Sequence, residues 1–254
     1  MAVDRREKKP RSEKIAIFRL LAFLVLPVMS ILGRYRIHDG HYLPPAGAAV
    51  VAPNHFSEID PFVMGVAIWK LGRAPRYLAK ASLFKVPFLG WLLRTSEQVP
   101  VERAGTRGVD PLATANRISD RDLLVVVYPE GTLTRDPNLW PMRGKTGAVR
   151  LALTADIPLI PVAHWGTQKI MPRYGKRVSL FPRKTVDVTF GPPVDLSAFR
   201  GRPLNSKMLA EATDLLMVAI TELVATMREE TPPAERWDPA RKGQSEIGRF
   251  EERS

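Results

Sequence analysis

The chain has 254 residues, 45% of them hydrophobic, enough to bury one large core or two small ones, which excludes global disorder. It has no cysteine, which excludes a disulfide scaffold, thiolate metal sites and a cysteine nucleophile. The net charge of +12 points to anionic partners: nucleic acid, a membrane surface or acidic substrates.

The basic surplus lies upstream, because residues 201–254 carry 8 Lys and Arg against 10 Asp and Glu. A charged stretch, residues 4–14, precedes an apolar run from Ile15 to Gly33 that only Arg19 and Ser30 interrupt. A secretory signal has the same outline, but Gly33-Arg34-Tyr35-Arg36 offers no small-residue cleavage site. A spanning helix needs about 20 apolar residues. Arg19 breaks this run early and Pro27 kinks it, leaving 13 residues from Leu20 to Leu32. The expected state is a helix lying in or dipping into one leaflet, held by flanking Lys and Arg. A true span and a buried core helix are the alternatives.

Ala48–Ala52 reads as a small apolar strand. Asp60-Pro61 opens a helix with Asp at the N-cap and Pro at the first position, and Gly72 stops it. Arg76–Lys80 is a short strand, Leu83–Leu93 is dense in large apolar groups, and Val109–Ser119 is helical. Leu123–Tyr128 is a continuous apolar run, as in a central parallel strand. Lys145–Ala155 suits a helix and Pro158–His164 a second buried strand. Arg177–Phe181 and Thr185–Phe190 read as a hairpin around Pro182-Arg183-Lys184. Asn205–Arg228 carries apolar residues at helical period, and beyond Glu229 the chain becomes charged and proline-bearing. The expectation is an α/β fold with a largely parallel or mixed central sheet flanked by helices. Residues 1–36 form an N-terminal membrane-associated helical segment, 37–229 an α/β domain, and 230–254 a flexible charged tail.

His55 follows a predicted strand and precedes a predicted helix, where α/β sheets place their active sites. Asp60 is five residues on, and the two side chains meet only if His55 sits in the loop and Asp60 at the helix start. A carboxylate on one ring nitrogen fixes the tautomer and leaves the other nitrogen as a base. The competing reading makes Asp60 a simple cap and His55 an ordinary loop histidine. A second segment runs from the strand at Val125 through Tyr128-Pro129-Glu130-Gly131-Thr132, with Arg135, Arg143 and Lys145 beyond it. A glycine turn at a strand end lets backbone N–H groups approach an anion, and Arg adds bidentate phosphate contacts. Gly144-Lys145-Thr146 is not a P-loop, because Leu139 stands where that motif needs glycine. His38 and His41 lie in a glycine-bearing turn and are expected exposed, while His164 is expected to be structural.

Together these residues resemble the PlsC-type glycerolipid acyltransferase family, typified by 1-acyl-sn-glycerol-3-phosphate acyltransferases. Asn54, His55 and Asp60 match its Asn-His-x4-Asp motif. Val99-Pro100-Val101-Glu102-Arg103 resembles its second motif, and Tyr128-Pro129-Glu130-Gly131-Thr132-Leu133-Thr134 stands where Phe-Pro-Glu-Gly-Thr-Arg-Ser is usual. Ile157-Pro158-Leu159-Ile160-Pro161-Val162 resembles its fourth, and Lys145-Thr146-Gly147-Ala148 the helix start that follows the third. Leu133 in place of arginine is the main departure, with Arg135 as the candidate to compensate.

The resemblance implies acyl transfer from an acyl thioester, acyl-CoA or acyl-carrier protein, to a lysophosphatidate hydroxyl, with no other cofactor and no metal. It implies catalytic roles for His55 and Asp60. It implies substrate phosphate and glycerol binding by Arg103, Glu130, Gly131, Thr132, Arg135 and Lys145. The apolar cluster Leu83–Leu93 is a candidate for holding the acyl chain or dipping into the bilayer, with plain core packing as the alternative. The implied location is the cytoplasmic face of a membrane, with the lipid surface as partner. Glycerol 3-phosphate, or another lysolipid or glycolipid, is the alternative acceptor. A non-catalytic, anionic-lipid-binding membrane protein is the alternative from another class. Nucleic acid is not an expected partner, because no zinc spacing, RNA-binding sheet motif or aromatic-interleaved basic stretch occurs.

Overall fold

Continuous apolar strands need cover on both faces, because successive side chains point to opposite sides of a sheet. Two such strands stand at the centre of the computed structural model, which describes residues 15–101 and 111–245. They are β2 (Ala49–Pro53) and β6 (Leu159–Trp165). Along β2, Val50 and Ala52 enter one apolar cluster, and Ala49 and Val51 enter the other. The first cluster is closed by α4 (Pro111–Asp120), α5 (Gly147–Ala155) and α7 (Ser206–Arg228). The second is closed by α1 (Ala16–Leu32) and α2 (Asp60–Lys70).

The other strands are β1 (Gly33–His38), β3 (Pro75–Lys80), β4 (Val99–Val101), β5 (Leu124–Val126) and β7 (Lys184–Phe190). Two shorter helices complete the described elements used below, α3 (Pro87–Thr95) and α6 (Thr167–Ile170). The seven strands run in the order β1-β7-β6-β2-β5-β3-β4. Every neighbouring pair is parallel except β6 with β7. The sheet is therefore mixed and helix-flanked, as expected. β5, β2 and β6 lie side by side and parallel, so their C-terminal ends open on one edge. β2 sits where the chain order turns back, the usual place for a site in such sheets.

Several elements depart from the sequence reading. The hairpin at Arg177–Phe190 does not form. β7 has both edges filled, by β1 on one side and β6 on the other, so no edge is left for a strand at Arg177–Phe181. The basic flank after the apolar run is itself a strand, β1, which alternates exposed Arg34, Arg36 and His38 with half-buried Tyr35 and Ile37. His38 thus lies on a strand rather than in a turn, and it shares Asp187 with Arg36 at 3.0 and 2.6 Å. Residues 230–245, expected as a loose tail, fold back on the body. There the Arg143 N–H donates to the Trp237 carbonyl at 2.9 Å, and Arg143 pairs with Asp238. Residues 1–14 and 246–254, both named above as charged segments, lie outside the described residues.

α1 has no continuous polar side. Ile17, Phe18, Met29 and Leu32 pack inward, while Leu20, Phe23, Leu24, Val28 and Ile31 form an exposed apolar stripe. No described helix is long and apolar enough to cross a membrane, so the spanning alternative has no helix to rest on among the described residues. At the far end of the chain, the Arg228 guanidinium is sandwiched between the Trp140 and Trp165 rings at 4.1 and 4.6 Å. That contact pins the end of α7 beside the C-terminal end of β6.

The stability consequences differ by position. Ile160 is fully buried in central β6, and Asn205 caps α7 by accepting the Met208 N–H at 2.9 Å. Ile160→Ala should cost about 2–5 kcal/mol, and Asn205→Ala about 1 kcal/mol, as read from urea unfolding midpoints.

Candidate active site

The loop after β2 places the histidine. Pro53 ends the strand, and Asn54 then bonds across the sheet to β6. Its side-chain amide donates to the His164 carbonyl at 3.1 Å, and its oxygen accepts the His164 N–H at 2.9 Å. Only a side chain with one donor and one acceptor side by side can complete this clamp. The next residue, His55, is fixed by its own backbone. Its N–H donates to Glu130 Oε1 at 2.9 Å, and its carbonyl accepts the Thr134 N–H at 2.7 Å.

Asp60 closes the loop. Its Oδ2 accepts the N–H groups of Phe56 and Ser57, each at 2.8 Å, and lies 2.9 Å from His55 Nδ1. The simple-cap reading is therefore replaced: these N–H groups precede the helix, and Asp60 is the first residue of α2 rather than its N-cap. Asp60 is fully buried and His55 partly so. An ionised carboxylate can only accept, so Nδ1 carries the shared proton and Nε2 is left with a lone pair. His55 Nε2 makes no hydrogen bond among the described residues. The Tyr128 ring stacks on the imidazole with centroids 4.1 Å apart. Behind Asp60, fully buried His164 donates from Nε2 to the Asn54 carbonyl at 2.9 Å and lies 3.6 Å from Asp60 Oδ2. This arrangement can accept a proton at Nε2 and spread the resulting positive charge onto a buried carboxylate.

The acyltransferase family model matches residues 34–165, slightly more than half of the chain and inclusive of the whole cluster. The chain belongs to the acyltransferase family. A 1-acyl-sn-glycerol-3-phosphate acyltransferase of Bacillus subtilis is 28% identical to it over 82% of this chain and 96% of that protein. A chloroplastic 1-acyl-sn-glycerol-3-phosphate acyltransferase of Brassica napus is 32% identical over 48% of this chain, a match that spans about a third (34%) of that protein. The crystal structure of PlsC from Thermotoga maritima, a 1-acyl-sn-glycerophosphate acyltransferase, shares the fold. It has a TM-score of 0.61 and 20% identity, over 85% of this chain and 81% of that one.

In this acyltransferase, two residues expected on substrate are buried and hydrogen-bonded within the protein. Both Glu130 oxygens accept backbone N–H groups, from His55 and from Met142 at 3.1 Å, and the carboxyl is fully buried. It props up the His55 loop from within the protein. Arg135 is also buried, and its guanidinium donates to the Tyr174 hydroxyl at 2.5 Å. Leu133, the departure from the family pattern, packs into the interior. Gly131 and Thr132 form the turn surface, and the Lys145 side chain lies over Gly131, where an added Cβ would come within 3.0 Å of it. Gly131 also has a φ of +71°, the left-handed region that glycine tolerates. Arg143 turns away to the C-terminal segment. Arg103 lies outside the described residues.

The sequence reading named Asn54 and Tyr128 only as motif members and His164 only as structural, and it foresaw none of their contacts: the Asn54 clamp, the Tyr128 stack and His164 behind Asp60. The two-sided hydrogen bonding of an Asn at a strand end was the available signal for the first. The other two depend on contacts across the sheet that spacing does not reveal.

The electrostatics follow burial. Burial would raise the Asp60 carboxyl, but the His164 and His55 imidazoles and the Ser57 N–H outweigh it and hold it below its ordinary value. Burial pushes His164 down, against the pull of the Asp60 carboxylate and the Asn54 carbonyl. Burial pushes the Tyr128 phenol well up, so it stays neutral. Burial also pushes Glu130 up to about 8, against the hydrogen bonds from Met142, His55 and Thr134. Folded Glu130 therefore keeps a proton that the unfolded chain has already lost at higher pH. Its contribution to stability is complete below an ordinary carboxyl pKa of about 4.3, and it is lost as pH rises through about 8. The urea midpoint of the native protein should fall across this window more steeply than that of Glu130→Gln, which has no proton to lose.

Proposed function

We propose that this acyltransferase is a 1-acyl-sn-glycerol-3-phosphate acyltransferase, moving a fatty acyl group from acyl-CoA or acyl-carrier protein to the free hydroxyl of a lysophosphatidate. The observation that carries the reading is the His55–Asp60 pair at 2.9 Å, buried on one side and with His55 Nε2 uncommitted. The relatives named above carry the acceptor assignment.

In the proposed reaction, His55 Nε2 takes the acceptor hydroxyl proton as that oxygen attacks the thioester carbonyl carbon. The C–O bond forms, the C–S bond breaks, and the leaving thiolate takes the proton back from the imidazolium. Asp60 remains ionised, orients the ring and stabilises its charge. No covalent enzyme intermediate is needed. General base catalysis of this kind contributes about 10²–10⁴-fold. Glu130 and Asn54 act at one remove, holding the His55 loop in register. Gly131, Thr132 and Lys145 form the proposed phosphate and glycerol contact surface, joined by Arg103 on the strength of the second motif.

The acyl chain has a path of suitable chemistry. A cavity of about 250 Å³ lies between α1, α2, β3 and α3, with Pro61, the residue after Asp60, in its wall. Its walls include Phe62, Trp69, Leu92 and Leu93, and they are almost wholly apolar. Leu83–Leu93 thus divides: Leu92 and Leu93 face the cavity, while Leu83, Val86, Phe88 and Trp91 are exposed. The exposed stripe of α1 supports the proposed location, a helix lying in one leaflet on the cytoplasmic face of a membrane. Arg19 and Arg34 stand at its two ends, exposed and placed to meet headgroups.

The test is an acceptor panel with labelled acyl-CoA and mass spectrometry of the product. Phosphatidate from lysophosphatidate, with glycerol 3-phosphate and lysophosphatidylcholine inert, is the expected result. His55→Ala should lower kcat by about 10²–10⁴-fold with little change in KM. Asp60→Asn should also lose most of kcat, because its amide can present an N–H to His55 in place of an acceptor. Equal turnover in native protein and His55→Ala would refute the mechanism, and acylation of glycerol 3-phosphate alone would move the acceptor.

A further inference from the structure

The connection between α6 and β7, residues 171–183, has no part in the chemistry above, yet it reaches from the site to the end of α1. At its start, the Met171 carbonyl accepts the Ser57 hydroxyl at 2.7 Å. Arg173 then donates to the Thr134 and Asp136 carbonyls at 2.8 and 2.7 Å, and Tyr174 receives Arg135. These contacts lock the first residues onto the turn that follows β5. At its other end, Arg183 donates to the Gly33 carbonyl at 3.1 Å, and Lys184 pairs with Gly33 in the sheet. Gly33 is the C-cap of α1.

Between these two anchors the segment turns its apolar groups outward. Val178, Leu180 and Phe181 are all exposed, and Phe181, at 78%, is among the most exposed large apolar side chains. Lys176 and Arg177 precede them, exposed and without an acidic partner among the described residues. Residues 171–183 contain Arg173, Lys176, Arg177 and Arg183 and no Asp or Glu. Three outward apolar groups beside exposed cations do not suit bulk water. They do suit the boundary of an anionic bilayer, where rings and aliphatic groups sit among acyl chains and cations among phosphates. The position agrees, because the exposed stripe of α1 ends at Ile31, two residues from the Gly33 carbonyl that Arg183 holds.

We propose that residues 176–183 form a second membrane-contacting element that seats Val178, Leu180 and Phe181 in an anionic phospholipid surface. The proposal rests on the membrane reading of α1 and adds a specific orientation to it. Two contacts, α1 and this loop, fix the protein's rotation on the surface. Because the same segment begins at the Ser57 and Thr134 contacts, that rotation brings the site mouth close to the headgroups. Lysolipid then enters sideways from the leaflet rather than through water.

The test uses the full chain and vesicles of equimolar phosphatidylglycerol and phosphatidylcholine. Phe181 is exposed, so Phe181→Trp should fold normally. Its emission should be quenched by brominated phosphatidylcholine beyond the quenching of the five native tryptophans. Leu180→Ser with Phe181→Ser should lower vesicle partitioning about tenfold. It should lower turnover of vesicle-borne lysophosphatidate in step, and leave turnover of a short-chain, water-soluble lysophosphatidate unchanged. Lys176→Gln with Arg177→Gln should weaken binding about tenfold at low salt and hardly at all at high salt. If the indole introduced by Phe181→Trp stays unquenched on bound protein, the proposal is overturned, as it is by an equal loss of short-chain turnover in the serine variant. If Phe23→Ser with Val28→Ser abolishes binding while the loop variants bind normally, the loop proposal fails and the membrane reading of α1 stands. If the native chain ignores the vesicles altogether, both fail.

Discussion

The site depends on one buried carboxylate oxygen. Asp60 Oδ2 accepts from His55, Phe56 and Ser57 and stands 3.6 Å from His164, with the whole residue shielded from water. Placing a charge there is costly unless several donors converge on it. Two of the donors are backbone N–H groups, so they cannot be supplied unless the loop takes one shape. The cost of the buried charge therefore selects the loop conformation, and the loop conformation presents His55. Asp60 Oδ1 is buried and makes no hydrogen bond among the described residues, which leaves this single oxygen to carry the arrangement.

The surroundings brace that loop from both neighbouring strands. From β6, His164 receives the Asn54 clamp. From the turn after β5, Glu130 takes the His55 N–H and Thr134 gives its own N–H to the His55 carbonyl. The parallel β5-β2-β6 arrangement is what makes this possible, because it brings three C-terminal ends to one edge. Met142 belongs to the same bracing: its N–H holds Glu130 and its sulfur accepts the Arg135 N–H. Glu130 and Arg135 are thus buried walls of the site, each hydrogen-bonded to neighbouring groups of the protein.

What could be read from the sequence follows the range of each interaction. The His55–Asp60 contact spans five residues and is dictated by one helix start, so spacing suffices to predict it. The Glu130 contact spans 75 residues, and nothing in Pro129-Glu130-Gly131 says whether the carboxyl faces ligand or backbone. Arg135 is similar: a guanidinium near a glycine turn reads as a phosphate group until Tyr174, 39 residues on, is known to hold it. At the level of fold, the buried strands and long helices were legible because burial is written into apolar runs and periods. The edge strands were not, because β1 shows only a polar–apolar alternation and β4 is three residues containing a proline. The hairpin failed for a topological reason: an antiparallel partner for β7 existed, but it was β6.

Hydropathy alone could not divide α1 among a core helix, an interfacial helix and a span, because the helix is apolar nearly all round. The packing divides it into two unlike faces. Its inner face forms one wall of the cavity that Pro61 also lines, while its outer face lies open. On the proposed membrane contact, such a helix cannot leave the lipid surface without exposing the outer stripe to water, nor leave the body without opening the cavity. In the proposed function, attachment and acyl-chain binding are coupled through this one element. The basic surplus fits the same division, since Arg19, Arg34, Lys176 and Arg177 lie at the margins of the apolar exposures and Lys145 lies over the Gly131 turn. Under the proposed function, the +12 charge divides into two local fields, one matched to a lipid surface and one to a single phosphate, with their separation set by the fold.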